Sequence, residues 1–201
     1  MSKVKICGLS RTEDIIAVNA ALPDYAGFVF AASRRHVDEN TAAKLKKNLD
    51  RRIEAVGVFV NEDIEKVARL YEEGIIDLVQ LHGDEDAEYI RTLKKNCGCK
   101  VIKTVSIGNN MPDVPNCPDY LLFDTLSAER GGTGRTFDWH ILGSFDKLPY
   151  FLAGGLNSSN VKEAMGLLFP YCVDVSGGVE TNGFKDASKI KEFVNIVRMA
   201  D

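Results

Sequence analysis

Short apolar runs alternate with longer stretches of mixed character along the whole chain. Runs of this kind are typical of buried strands, which are usually about three to ten residues long. They predict eight strands, at residues 3–7, 25–30, 53–60, 78–81, 100–105, 120–123, 150–153 and 172–175. In the stretches between them, apolar residues recur at helical spacing. This alternation of strand and helix predicts a parallel sheet with helices packed against it.

The connection after the fifth predicted strand departs from this alternation. Its prolines, at positions 112, 115 and 118, forbid a long helix, so we expect a short helix or none. Asn61 and Asp84 are predicted to start the helices after the third and fourth strands, because their side chains can accept a backbone hydrogen bond there. A glycine-rich loop and a short helix near residues 139–142 are predicted after the sixth strand.

The first strand shows how the two faces of the sheet are used. Side chains alternate along a strand, so Lys3, Lys5 and Cys7 share one face. Val4 and Ile6 share the other face, which suits contact with helices outside the sheet. A lysine-lined inner face suits a barrel with polar chemistry at its mouth, and Cys7 would lie at the carboxyl end of the strand.

Eight strand–helix units within 201 residues predict a compact α/β protein, a (β/α)8 TIM barrel. The length suits a single domain over residues 1–201. An open doubly wound sheet is the alternative. It is less favoured, because no Gly-x-Gly-x-x-Gly turn follows the first strand.

The composition is that of a globular protein, with 45% hydrophobic and 27% charged residues. A formal net charge of -4 argues against a nucleic-acid partner, and no apolar run predicts a membrane span. The five cysteines are irregularly spaced, which argues against a disulfide framework and favours a cytoplasmic protein. Cys97 and Cys99 have no companion pair at metal-ligand spacing, so no metal site is expected.

Polar residues and glycines collect where the predicted strands end. Cys7 ends the first strand, His82 follows the fourth and Asp124 follows the sixth. Glycine pairs follow the seventh and eighth strands, at residues 154–155 and 177–178, the latter preceded by a serine. In barrels these two loops often bind phosphate, because glycine lets backbone N–H groups approach an anion. Taken alone, each glycine pair could be a tight turn and Cys7 a small buried side chain.

Ten short motifs follow one another along the chain, at residues 4–8, 27–30, 33–35, 56–61, 79–83, 122–125, 131–134, 137–139, 152–157 and 173–180. In sequence and order they resemble the phosphoribosylanthranilate isomerase family of tryptophan biosynthesis. One departure lies before Ser33, where Ala31 and Ala32 stand and the family pattern leads us to expect a proline.

The resemblance implies an Amadori rearrangement, which converts N-(5-phosphoribosyl)anthranilate to 1-(2-carboxyphenylamino)-1-deoxyribulose 5-phosphate. It implies an enzyme that needs no metal or organic cofactor and whose partner is this small phosphosugar. It also implies roles for three residues. Cys7 would be the general base, Asp124 the general acid and Arg35 the ligand of the anthranilate carboxylate.

The reaction itself requires an acid and a base at the same pH, so the two groups need environments that separate their pKa values. Burial would raise the pKa of Asp124. Lys5, on the same face as Cys7, is expected to lower the pKa of the thiol. A lysine inside a barrel needs a partner, which we predict to be Asp174 on the eighth strand.

The remaining candidates are contacts to the substrate. Gln80 and His82 are predicted to bind it, and Arg34 is expected to stay at the surface. Phosphate binding is predicted for glycines and a serine of three loops, namely Gly132, Gly134, Gly154, Gly155, Ser176, Gly177 and Gly178. The loop at residues 131–134 is expected to act as a lid.

Two other functions stay open at this point. One is a different phosphosugar or aminoaldose isomerase on the same barrel, such as the histidine-pathway enzyme, which has an aspartate where Cys7 stands. The other is a non-catalytic barrel that binds phosphosugars. Fold alone does not separate these functions, and the cysteine–aspartate pair does. The oligomeric state is expected to be a monomer or a homodimer.

Overall fold

Eight parallel strands close into a barrel, which confirms the predicted fold class. The structure is a computed structural model that describes residues 2–126, 136–143 and 145–200. Neighbouring strands follow the order of the chain, and the eighth pairs with the first. The strands are β1 (Lys3–Cys7), β2 (Tyr25–Val29), β3 (Glu54–Phe59), β4 (Leu78–Leu81), β5 (Val101–Ile107), β6 (Tyr120–Thr125), β7 (Tyr150–Leu152) and β8 (Cys172–Val175).

Helices lie between most of these strands. They are α1 (Thr12–Ala21), α2 (Glu39–Asn48), α3 (Ile64–Glu72), α4 (Ala87–Cys97), α5 (Val161–Leu168) and α6 (Ala187–Ala200). Residues 108–119, all of them described, contain no helix, so the prolines act as predicted. Short 3-10 helices cover Trp139–Leu142 and Gly177–Val179, and a hairpin of β9 (Glu180–Thr181) and β10 (Phe184–Lys185) follows β8. Within the described ranges, no helix is long and apolar enough to cross a membrane.

The two predicted helix starts at Asn61 and Asp84 are wrong. Asp63 caps α3 and Asp86 caps α4, each accepting a hydrogen bond of 2.8 Å from a backbone N–H of the first turn. Asn61 has a positive φ of 50° and its side chain accepts a 2.7 Å hydrogen bond from the backbone N–H of Asp84. Both residues therefore join the loops after β3 and β4 instead of starting a helix.

The apolar core has two parts, one outside and one inside the barrel. The outer face of β1 follows the prediction, since Val4 and Ile6 are fully buried in the large cluster between sheet and helices. A second cluster contains eight residues that point inward from the strands, namely Tyr25, Val56, Leu78, Ile102, Leu122, Phe151, Ala153 and Cys172. Together they fill the barrel interior below its upper rim.

A polar pair lies on the inner face where β1 and β8 meet. Lys5 is opposite Asp174 in the strand register, and its Nζ donates a 3.0 Å hydrogen bond to the Oδ1 of Asp174. The predicted contact between these two residues is therefore confirmed. Burial opposes the charge of Lys5, but Asp174 outweighs it and raises the pKa of Lys5 above its ordinary value.

Candidate active site

A cavity of about 710 Å³ opens where the strands end at the carboxyl side of the barrel. It is lined by every predicted site residue that the structure describes, namely Cys7, Arg35, Gln80, His82, Asp124, Gly154, Gly155, Ser176, Gly177 and Gly178. Gly132 and Gly134, which are predicted to bind phosphate, lie outside the described residues. Asp174 also lines the cavity, so the buried pair on β1 and β8 borders it.

Cys7 is buried at the end of β1 and faces the cavity. The neighbouring strand makes room for its sulfur, because a Cβ at Gly27 would lie 2.8 Å from the Sγ of Cys7. Burial raises the pKa of the Cys7 thiol above its ordinary value, while Lys5 acts to lower it. Lys5 thus works in the expected direction, but the thiol is so deeply buried that desolvation outweighs it.

Asp124 belongs to β6 and is 9% exposed. Burial raises the pKa of its carboxyl to about 6, and the nearby charge of Asp174 acts in the same direction. The backbone N–H of Thr125 opposes this by donating a 2.8 Å hydrogen bond to the Oδ1 of Asp124. An aspartic acid in this environment keeps its proton at a pH where an exposed one has lost it.

A small polar network lies beside Asp124. The Nε2 of His82 is 3.6 Å from the Oδ2 of Asp124, and its Nδ1 lies 3.1 Å from Gln80 Nε2 and 3.2 Å from Thr104 Oγ1. Gln80 is fully buried, and its Oε1 has no hydrogen-bond partner among the described residues. A buried carbonyl oxygen without a hydrogen-bond partner is costly to folding.

The two glycine pairs are held tightly against neighbouring loops. Gly154 has a φ of +84°, and a Cβ there would lie 2.4 Å from the Oγ1 of Thr125. A Cβ at Gly178 would lie only 2.0 Å from the backbone oxygen of Leu156. The contact between Gly178 and Leu156 holds the loops after β7 and β8 against each other, and both loops line the cavity.

The side chain of Arg35 packs against Gly8, the residue directly after Cys7. Gly8 has a φ of +82°, and a Cβ there would lie 2.3 Å from the Cδ of Arg35, so only glycine leaves room for this side chain. Arg35 pairs with Glu180, with 2.7 Å between its Nε and the Oε1 of Glu180. Arg34 also pairs with Glu180, at 2.6 Å, although its side chain is 54% exposed, as expected of a surface residue.

Comparison with known proteins identifies the family. The model of the N-(5′-phosphoribosyl)anthranilate (PRA) isomerase family matches residues 4–196. The chain belongs to the PRA isomerase family. A PRA isomerase of Endomicrobium trichonymphae is 52% identical over 199 residues, which cover 98% of this chain and 99% of that one. PRA isomerase activity places the protein in tryptophan biosynthesis.

Solved structures of PRA isomerases share the whole barrel. The enzyme of Thermotoga maritima superposes with a TM-score of 0.86 at 34% identity, covering 99% of this chain and all of that one. A second PRA isomerase structure, at 32% identity and a TM-score of 0.83, contains reduced 1-(o-carboxyphenylamino)-1-deoxyribulose 5-phosphate. It covers 99% of this chain and 100% of that one.

Two charged residues beside the cavity have no role in the sequence-based prediction of this PRA isomerase. Glu180 ends the last of the ten motifs, and Lys185 follows five positions later. A sequence signal for their position does exist. Between Glu180 and Lys185 lies Asn182–Gly183, a dipeptide typical of a tight hairpin turn. Such a turn sets Glu180 opposite Lys185, as the register of β9 and β10 has it.

Proposed function

We propose that the residues lining the cavity catalyse the PRA isomerase reaction as an Amadori rearrangement, with Asp124 as general acid and Cys7 as general base. The substrate is N-(5′-phosphoribosyl)anthranilate, and the product is 1-(2-carboxyphenylamino)-1-deoxyribulose 5-phosphate. The observation that carries the proposal is the position of both groups on one cavity, together with the glycine pairs after β7 and β8. A barrel that only binds phosphosugars has no need for a buried acid and a thiol there.

Asp124 would act first. Its proton passes to the furanose ring oxygen, the bond from C1 to that oxygen breaks, and the nitrogen lone pair forms a Schiff base. This requires a carboxyl that is protonated near neutral pH. The pKa of about 6, which burial sets, supports this role. His82, whose Nε2 lies 3.6 Å from Asp124, borders the same group and would face the ribose.

Cys7 would act second, as a thiolate that removes the proton from C2. The electron pair of the C–H bond forms the C1–C2 double bond, while the π pair of the protonated Schiff base returns to nitrogen. The resulting enolamine takes a proton at C1 and loses the proton of its C2 hydroxyl, which gives the ketone. Because burial raises the pKa of Cys7, only a small fraction of the free enzyme holds the thiolate at pH 7. The ammonium of Lys5 supports that minor form by lowering the pKa against the effect of burial.

The rest of the cavity would position the substrate. The phosphate would bind backbone N–H groups of Gly154, Gly155, Gly177 and Gly178 and the hydroxyl of Ser176. Arg35 would bind the anthranilate carboxylate through its guanidinium. Gln80 stays a predicted substrate ligand, and Gly132 and Gly134 stay predicted phosphate ligands.

Three further statements stay predictions. They are a single barrel domain over residues 1–201, a cytoplasmic location, and a monomeric or homodimeric state. The described cysteines, all free thiols, support a reducing compartment.

The assignment of Cys7 is tested by Cys7→Ser, with the fluorescence of the anthranilate group followed as purified protein consumes the substrate. A serine hydroxyl is a far weaker acid than a thiol, so we expect kcat to fall by about 1,000-fold or more while KM changes little. The matched control is Cys117→Ser, at a half-buried cysteine of the 108–119 loop, which should keep full turnover. Near-normal turnover of Cys7→Ser would refute the base assignment.

A further inference from the structure

One buried carboxylate beside the cavity holds three cationic side chains. The Oε1 of Glu180 accepts hydrogen bonds from Arg35 Nε (2.7 Å) and Lys185 Nζ (2.8 Å). Its Oε2 accepts from Arg34 Nη2 (2.6 Å) and Arg35 Nη2 (3.2 Å). Burial acts to raise the pKa of Glu180, but the bonds from Arg35 and Lys185 outweigh it and hold that pKa at about 2. Glu180 is therefore a permanent anion among three cations.

The hairpin fixes the position of this carboxylate. Glu180 and Lys185 are opposite each other in the register of β9 and β10. The side chain of Lys185 is only 1% exposed, and its Nζ also donates to the backbone oxygen of Ser176 (2.9 Å) and to its Oγ (3.2 Å). The hydroxyl of Ser176 in turn donates to the backbone oxygen of Cys7 (2.9 Å). Glu180 is thus tied through Lys185 to the loop after β8 and to the end of β1.

The contact with Glu180 leaves some N–H donors of the Arg35 guanidinium available to a ligand. A guanidinium has five N–H donors, and Glu180 takes one from Nε and one from Nη2. Among the described residues, no hydrogen bond is made by the Nη1 of Arg35. Nη1 and the second hydrogen of Nη2 form the other edge of the guanidinium, which can also pair with a carboxylate in two parallel hydrogen bonds.

We propose that Glu180 is the positioning residue of Arg35, which it holds so that the other edge of the guanidinium meets the aromatic carboxylate of the substrate. The inference rests on the proposed role of Arg35. Because three cations surround one anion, the cluster stays net positive and still attracts a carboxylate. Because Arg35 is already held in place, little side-chain freedom is lost when the substrate binds.

The test compares two ligands that differ in one group. One is reduced 1-(o-carboxyphenylamino)-1-deoxyribulose 5-phosphate, and the other is the same compound without the ring carboxylate. In Glu180→Gln we expect the preference for the carboxylated ligand to fall about tenfold, since a charge-assisted contact loses its geometry. KM should rise by a similar factor, with kcat within about twofold. Glu39→Gln, which removes a surface pair with Arg69, should leave both quantities unchanged.

Arg35→Met separates the two levels of the argument. It should lower the preference for the carboxylated ligand on its own, and adding Glu180→Gln should lower it no further. If Arg35→Met leaves the preference intact, the proposed role of Arg35 is wrong and the inference falls with it. If only Arg35→Met lowers the preference, the role of Arg35 stands and the inference about Glu180 is overturned.

A purely structural role of Glu180 gives a different result. Glu180→Gln would then weaken both ligands equally, which also overturns the inference. Should the uncompensated charge of Lys185 unfold that variant, Glu180→Gln with Lys185→Met removes both charges of the pair and is measured in its place. The same tenfold loss of preference is expected from it.

Discussion

Replacement of the proposed acid, Asp124→Asn, should stabilise the protein at neutral pH while it abolishes catalysis. The folded structure raises the pKa of Asp124 from 3.8 to about 6. An acid of this kind binds its proton more tightly when folded, so its ionisation opposes folding. Its effect is absent below pH 3.8, grows between pH 4 and 6, and is constant above pH 6. Asparagine keeps the shape and the acceptor for Thr125 but cannot ionise.

The size of the effect follows from the two pKa values. A difference of about 2 units corresponds to about 3 kcal/mol of unfolding free energy above pH 6, at 1.36 kcal/mol per unit. At pH 4.5 only about 1 kcal/mol of this cost applies. The advantage of Asp124→Asn over the wild type should therefore grow by about 2 kcal/mol between pH 4.5 and pH 8. Differences in packing do not depend on pH and cancel in this comparison.

Urea denaturation followed by circular dichroism measures this quantity for both proteins at both pH values. The control is Asp38→Asn, because a backbone hydrogen bond from Thr41 lowers the pKa of Asp38. Its carboxylate stabilises the fold as pH rises, so this variant should change in the opposite direction. A free energy difference between Asp124→Asn and wild type that is equal at pH 4.5 and pH 8 would refute the raised pKa and, with it, the acid role.

Two other measurements probe the proposed acid–base pair and the proposed phosphate site. The pH profile of kcat/KM should be flat from about pH 6 up to the raised pKa of the Cys7 thiol and fall tenfold per pH unit outside that range, because the proposed mechanism needs Asp124 protonated while Cys7 is ionised. Because burial raises the pKa of the thiol above its ordinary value of about 8.5, fewer than about one enzyme molecule in 300 holds both forms at once. A single sharp optimum below pH 6 would contradict this mechanism. Gly178→Ala should raise KM about tenfold or more, because its Cβ would lie 2.0 Å from the backbone oxygen of Leu156. The control is Gly166→Ala on α5, where a Cβ would meet no other atom; it should keep KM unchanged and gain about 0.5–1 kcal/mol of stability. An unchanged KM in Gly178→Ala would exclude the loop after β8 from phosphate binding.

Much of the fold is predictable because each strand is an apolar run whose ends are marked. In β1, the alternation of Lys5 and Cys7 with Val4 and Ile6 separates the inner from the outer face, and the burial of the two apolar residues follows. The contact between Lys5 and Asp174 is predictable for the same reason, since closure of a barrel sets the last strand beside the first. The apolar periodicity and the closure of the barrel are properties of the whole chain, so predictions based on them hold even where the bounds of one strand are uncertain.

Helix starts are less predictable, because several side chains in one loop can fill the same role. Asn61 and Asp63 both have an oxygen suited to an N-terminal cap, and the turn geometry decides in favour of Asp63. The loop after β4 repeats the ambiguity with Asp84 and Asp86. The choice depends on a contact between the two loops, which no local pattern encodes.

The electrostatics of the site were predictable in direction for Asp124 and not for Cys7. Burial raises the pKa of any acid, so a carboxyl at a closed rim follows a simple rule. For the thiol, burial and the charge of Lys5 oppose each other, and their balance depends on depth, which the sequence does not contain. The ion pairs of Glu180 are also out of reach, because Arg35 lies 145 positions away along the chain.

The division of the barrel interior explains how the protein tolerates so many buried charges at one end. The cluster below the rim, with Tyr25 and Phe151 in contact, fills the barrel with apolar side chains, and the larger outer cluster surrounds the sheet. These two clusters supply the hydrophobic stabilisation of the fold, which does not depend on the side chains at the rim. The rim can therefore hold the carboxyl of Asp124 at a net cost to folding, while the contact with Asp174 offsets the burial of Lys5. Because that cost is what raises the pKa of Asp124, substitutions that relieve it should stabilise the protein and slow it together.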